Sequence, residues 1–480
     1  MARTIPSFPP ELKNGGTVAP PIPSTETLHT YDIEVITPLF GGGVEVGIND
    51  PITLIRPSSI RGHLRFWWRA TRGATFSSAA EMRQREAEIW GSTEIPSAVK
   101  IHVTNDDEYQ ISQACARYSP NPRKNRGSGG YDFDWLSPFD KVESSLTYVL
   151  FPFQGKAPDS DEPKNPNNFI LRAKFKLDIT IPKPELMEKS RNFFNEFRLK
   201  ANLNALTSHD NDISKEIDLA LWAWLNFGGI GARTRRGCGS LFCKEFAPNS
   251  VESIEKWFVS WIKKINGNSQ SFVFPYFAKF TLTQSIIQSP IDAWACSIKL
   301  LREFRQEHVG RKQRPKPNDG LSRDNHPGRS YWPEPETIRR ITDRRSSIHP
   351  RQLHIPNDAF PRSVLGLPIV FHFMGGGEPF DCELYPLGKN RMASPIILRP
   401  LAVGDGKSAL AMVVQLNTPI LEGLELRKVH NPPNLSRENI ARPNLATYQN
   451  SPMKGRSNDG STLEAFLAYA QEQGFKAIFP

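Results

Sequence analysis

The sequence predicts an α+β protein made of two tandem βαββαβ units with long loop insertions, and three observations carry that expectation. Alternating apolar stretches and stretches of helical period follow one another in the same order twice, each unit opening on a strand and passing through a helix. Tracts rich in glycine, proline and asparagine interrupt the later strands of both units, where packed structure is not expected. The chain has 480 residues, enough for more than one domain.

Residues 1–26 are proline-rich and read as a loosely draped arm. The first unit is placed at 27–248, with strands at 29–39, 99–103 and 169–181, helices at 184–198 and 212–227, and a short strand at 240–246. Residues 117–135 and 154–168 read as loops or hairpins within it. The second unit is placed at 249–416, with a strand at 272–282, a helix at 291–307, and strands at 367–373, 391–401 and 410–416. Residues 417–480 form a C-terminal extension containing a helix at 461–473.

Composition narrows the function. Five scattered cysteines, at 115, 238, 243, 296 and 382, make no disulfide framework, and Cys238 with Cys243 lacks a second pair at ligand spacing. His349 and His354 lie in a proline-bearing loop. Beside His209 and Asp210, Asp212 reads as a helix cap rather than a ligand. No metal and no cofactor are expected. The first residues lack the apolar core of a signal peptide and no run of about 18 apolar residues occurs, so a cytoplasmic protein with no membrane span is expected. The net charge of +10 is concentrated in a few stretches: 56–72 and 117–126 hold basic residues and no acid, and 301–351 holds thirteen Lys and Arg against seven Asp and Glu. Acidic ligands are implied.

Two motifs carry that charge. Residues 228–239 place Gly228, Gly229, Gly231, Gly237 and Gly239 around Arg233, Thr234, Arg235 and Arg236, a composition suited to bare amide donors beside guanidinium groups. A helix precedes this loop and a strand follows it, the reverse of a nucleotide-binding fingerprint, and no Gly-Lys-Ser or Gly-Lys-Thr is present. The alternative is a helix-to-strand turn with solvated arginines. The second motif is a helix from Pro57, with Ser59 as its expected N-cap. Ile60, Leu64, Trp67 and Thr71 form one stripe, and Arg61, Arg65, Arg69 and Arg72 another. Like charges at this spacing repel by about 0.2–0.5 kcal/mol per pair, so an anion should offset them: either phosphates, with one at the Pro57-Ser58-Ser59 helix start, or Glu81, Glu86 and Glu88 of the next helix.

The stretches ITPLFGGG, IRPSSIRGHLRFWWRA, Ile89-Trp90-Gly91-Ser92 and GGIGARTRRGCGSL together resemble the RAMP superfamily of CRISPR type III effector complexes. Within it they resemble the subunit at the head of the type III-B (Cmr) complex, which contacts the 3′ end of the guide RNA. Residues 327–334 and 391–395 resemble motifs of the same subunit, and the likeness runs over about 30–416. The resemblance implies two packed ferredoxin-like (RRM-like) folds, with guide crRNA, single-stranded target RNA and other Cmr subunits, backbone RAMP subunits above all, as partners. It also implies binding without catalysis. The expected RNA-binding residues are Arg56, Ser58, Ser59, Arg61, His63, Arg65, Trp68, Arg69, Arg72, Gly228, Gly229, Gly231, Arg233, Thr234, Arg235, Arg236, Arg329 and Arg391, with no catalytic residue. The alternative is a metal-independent ribonuclease that uses His63 as general acid or base.

Overall fold

The structure, a computed structural model, describes residues 25–43, 48–50, 53–76, 78–105, 112–121, 130–140, 145–200, 212–265, 277–287, 289–306, 330–347, 359–373, 375–418, 421–429, 435–436, 451–457 and 461–479. In chain order the first half forms β1 (Glu26–Val35), β2 (Leu39–Phe40), α1 (Pro57–Thr71), α2 (Ala79–Trp90) and β3 (Lys100–Asn105). An insertion follows, with β4 (Gln113–Ala114), β5 (Ala116–Pro120), β6 (Tyr131–Trp135), α3 (Thr147–Leu150) and β7 (Asn168–Ile170). The half closes with β8 (Ala173–Pro182), α4 (Pro184–Lys200), α5 (Ser214–Phe227) and β9 (Leu241–Phe242). The second half holds α6 (Ile254–Lys264), β10 (Phe277–Thr283), α7 (Pro290–Arg305), α8 (Glu334–Thr342), β11 (Ile369–Phe371) and β12 (Cys382–Pro386). It ends with β13 (Ile396–Val403), β14 (Ser408–Leu416), β15 (Gly423–Arg427), β16 (Leu435–Ser436), α9 (Thr462–Glu472) and β17 (Phe475–Phe479).

Antiparallel pairing orders the first sheet β3-β8-β1-β9, with α1 and α2 between β1 and β3 and α5 before β9. The second sheet runs β13-β14-β10-β17, with α7 after β10 and α9 before β17. A third sheet, β11-β12-β15-β16, grows from the insertions of the second half. The fourth strand of the second sheet therefore comes from the C-terminal stretch, and a boundary at 416 cuts that sheet. The pairing of β17 with β10, including Thr281 against Ala477, is a long-range event that local periodicity does not reveal.

Local chemistry sets the helix ends. Ser78, Ser289 and Ser461 cap α2, α7 and α9 by accepting the amide hydrogens of Glu81, Ile291 and Glu464. The expected strand 169–181 is broken into β7 and β8, which join different sheets. Helix α5 is buried from Glu216 to Phe227, with the exception of Asp218. Its all-round burial follows from its neighbours, because α1, α6 and β13 pack on it from different sides. One hydrophobic core consequently joins the halves: Trp67, Trp222 and Phe227 share it with Phe280, Leu401 and Met412. No helix among the described residues is long and apolar enough to cross a membrane.

Candidate nucleic-acid interface

Helix α1 and the loop 228–239 meet. A Cβ on Gly228 would fall 2.5 Å from the Trp67 indole nitrogen, and the Arg235 guanidinium lies 5.7 Å from the centre of the Phe66 ring. The contact uses the Phe66 and Trp67 side of α1. The arginine stripe faces elsewhere.

Arg65 Nε lies 2.7 Å from Glu86 Oε1, and Arg69 bonds to the same carboxylate. Arg61 donates to the Trp90 carbonyl at 3.2 Å, to the Ser97 hydroxyl and to the Val99 carbonyl at 3.4 Å. Arg72 sits 3.9 Å from Glu216. Trp68 is fully buried and donates to Glu216 Oε2 at 2.9 Å. The expected phosphate-facing ladder is thus corrected: Arg61, Arg65, Arg69 and Arg72 fasten α1 to its neighbours, and Trp68 is core. The physical reason is reach, since two guanidiniums share a single carboxylate one helix away at short range. Ser59 is not the N-cap either. Arg56 holds that place and Pro57 opens the helix, where its missing N–H costs nothing. Ser58 is exposed and Ser59 half-buried. Arg56 reaches back to the carbonyls of Gly42 and Gly43, at 2.7 and 3.3 Å, and ties the glycine cluster after β2 to the start of α1.

The glycine loop also differs from expectation. Backbone carbonyls already engage the amides of Gly228, Ile230, Ala232, Arg236, Gly237 and Gly239. Its glycines serve close packing. Gly237 has φ of 82°, and a Cβ there would strike the Trp294 ring and approach the Leu398 carbonyl at 2.8 Å. Gly229 and Gly231 abut the Gly239 and Phe40 carbonyls in the same way. Arg399, buried in β13, donates to the carbonyls of Leu225, Gly228 and Leu241, so an arginine from the second half closes the C-terminal end of α5. Burial pushes its pKa down to about 9.

Three cations of the loop remain. Among the described residues, no carboxylate lies within ion-pair distance of Arg233, Arg235 or Arg236. Arg236 donates to the Ile396 and Leu365 carbonyls at 2.9 and 3.4 Å, and Arg235 to the Ser394 carbonyl. The Arg233 guanidinium lies 5.9 Å from the centre of the Phe151 ring, and its Nε is buried without a hydrogen-bond partner. Burial lowers the pKa of all three, and that of Arg236 to about 9, with repulsion from Arg305 adding to it. All stay charged at neutral pH, and an anion placed among them would offset the desolvation. Thr234 opens the short 3-10 turn Thr234–Arg236, and exposed Arg391 lies three residues before Ser394. Arg329, His209, Asp210, His349 and His354 lie outside the described residues.

His63 stacks on Trp224, with ring centres 6.2 Å apart and planes at 13°. Burial pushes its pKa down, so the ring is neutral at pH 7. Three functional-looking residues escaped the sequence reading: Phe66, Phe151 and Arg399. Only Arg399 had a visible signal, a lone charge inside the apolar run IILRPLAV.

The geometry defines a mixed α+β protein with several small antiparallel sheets, in which an arginine-rich glycine loop packs against β2, α7 and β13. Residues 32–242, from inside β1 to the end of β9, match the family model of the RAMP superfamily. The chain is 27% identical over 214 residues to the CRISPR system Cmr subunit Cmr1-2 of Pyrococcus furiosus, covering 44% of this chain and 92% of that relative. It is also similar to the crystal structure of apo Cmr1 from Pyrococcus furiosus, at 15% identity and a TM-score of 0.43, with 94% and 99% of the two chains covered. A cryo-EM structure of the type III-B Cmr-beta bound to cognate target RNA matches at 14% identity and a TM-score of 0.41, with 84% and 96% covered.

Proposed function

We propose that this chain is a non-catalytic, RNA-binding subunit of a cytoplasmic type III-B CRISPR effector ribonucleoprotein, working beside other Cmr subunits on guide crRNA and single-stranded target RNA. In this reading it holds the 3′ end of the guide, and its two main sheets are two ferredoxin-like units that clasp the RNA at their seam. The carrying observation is the trio Arg233, Arg235 and Arg236: concentrated, desolvated, and without a carboxylate among the described residues. In this reading Arg56, through the glycine cluster at 41–43 that abuts Gly231, and Thr234 border the same site, and Ser58 and Arg391 are assigned to it as expected from the sequence. The arginines of α1 support its shape and do not touch the phosphates.

Binding of guide RNA measured against salt tests this. Each phosphate neutralised on a single strand adds about 0.7 to the slope of log K against log salt. Replacing Arg233 and Arg235 by Ala is expected to flatten the slope by roughly one unit, whereas replacing Arg65 and Arg69 leaves it in place. An unchanged slope in the first variant would remove the loop from the interface. Incubation of labelled guide and target RNA with the subunit in EDTA is expected to leave both intact. Cleavage abolished by His63→Ala would support the ribonuclease reading instead.

A further inference from the structure

We propose that the turn at 233–235 carries two base-stacking positions for single-stranded RNA, one on Phe151 and one on Phe66, so that the interface grips nucleobase faces as well as phosphates. This rests on the reading of the loop as an RNA site. Two arginines separated by one residue lie against rings from different elements: Arg233 against Phe151 of the insertion between β6 and β7, and Arg235 against Phe66 of α1.

The placement of Phe151 is built rather than incidental. Phe153, two residues on, is buried and stacks on Phe40 with centres 4.2 Å apart and planes at 2°. Leu150, on the other side, is fully buried. These anchors hold the 3-10 turn Phe151–Phe153 against β2 and leave Phe151 58% exposed. The same β2 accepts the Ala232 amide through the Phe40 carbonyl, which fixes the glycine loop beside that turn. Arg233 itself adopts left-handed backbone, φ 58° and ψ 33°, a conformation rare for a long side chain. A glycine would hold that backbone more easily, and the strain accompanies a guanidinium set against an aromatic face. Phe66 is half-buried and meets Trp67 edge-on at 5.2 Å, which orients its ring toward Arg235. An exposed ring beside a desolvated cation with no carboxylate at ion-pair distance among the described residues matches the platform on which bases stack, with arginine adding a cation–π contribution. Because every base has a π-face, the grip is tolerant of sequence.

The test uses the full chain and two probes: a single-stranded RNA of about ten nucleotides, and the same sugar-phosphate backbone with its bases removed. The normal RNA is expected to bind about a hundredfold more tightly than the abasic one, about tenfold from each stacked base. Phe151→Leu, which keeps bulk and loses the ring, should weaken normal RNA by about tenfold, spare the abasic strand and leave the salt slope unchanged. Phe151→Trp should restore binding. Equal affinity for the two RNAs, or a Phe151→Leu variant that binds normal RNA like the parent, overturns the proposal and leaves Phe151 to a protein contact. If Arg235→Ala flattens the salt slope while bases make no difference, stacking fails and the phosphate site stands. If neither changes, the RNA reading of the loop fails with it.

Discussion

Between its last helix and last strand, the first sheet inserts residues 228–240, while the second sheet, with the same strand order, turns through Gln473 and Gly474 alone. The cations near the two turns differ accordingly. Beside the second turn, Arg456 bonds both carboxylate oxygens of Glu472 at 2.8 and 2.7 Å, and Lys476 meets Glu255 at 2.8 Å. Beside the first, Arg233, Arg235 and Arg236 find only carbonyls and rings among the described residues. The second turn solves a local problem of chain reversal, where a short glycine turn suffices. The first is wedged under Trp294 and Arg399 of the second half.

The sharpest way to break this contrast is to remove the clamp. Arg399→Met leaves four buried carbonyls, of Leu225, Gly228, Leu241 and Pro400, without this donor and is expected to cost about 3 kcal/mol in chemical denaturation. A loss below about 1 kcal/mol would mean that the seam does not depend on it. Next comes a matched pair of glycines. Gly237→Ala combines positive φ with a clash on Trp294 and should cost about 2–3 kcal/mol, whereas Gly474→Ala, with positive φ and nothing within 4 Å of the new Cβ, should cost about 1 kcal/mol. Equal costs would deny the first turn its special packing.

Smaller still is Glu86→Gln. Because Arg65 and Arg69 are partly exposed, the lost ion pairs should cost about 1 kcal/mol, and RNA affinity should stay within about twofold if α1 does not touch phosphate. A large gain in affinity would return the α1 arginines to the interface. The smallest effect concerns acid. His63 is held below its ordinary pKa of about 6.5 by burial, so under that pH the unfolded chain takes a proton that the folded one resists. Stability should therefore fall as pH drops from about 6.5, by at most about 1.4 kcal/mol per unit from this group, and His63→Gln should flatten that part of the profile. An unaltered profile would show that His63 titrates freely.

Much of the frame was legible. The stripe Ile60, Leu64, Trp67 and Thr71 is buried as its spacing implies, and helices at 212–227, 291–307 and 461–473 occur within a few residues of where periodicity puts them. Helices α6 and α8 went unread. The site was legible in part: the loop is where charge and glycine concentrate, yet five arginines in 56–72 looked equally available. Three of them, Arg65, Arg69 and Arg72, lie against Glu86 or Glu216, and the distance to those carboxylates is not written in the spacing of α1.

Charge content, helix periodicity and the position of glycines are properties of neighbouring residues, and the sequence alone determined them: a basic αβ chain with an arginine-bearing glycine loop after an apolar helix. Which cations are neutralised, which amides are spent, and which strand completes the second sheet depend on residues far apart in the chain. Only the tertiary structure decided those, because ion pairing and hydrogen bonding act over a few ångströms of space and take no account of distance along the sequence.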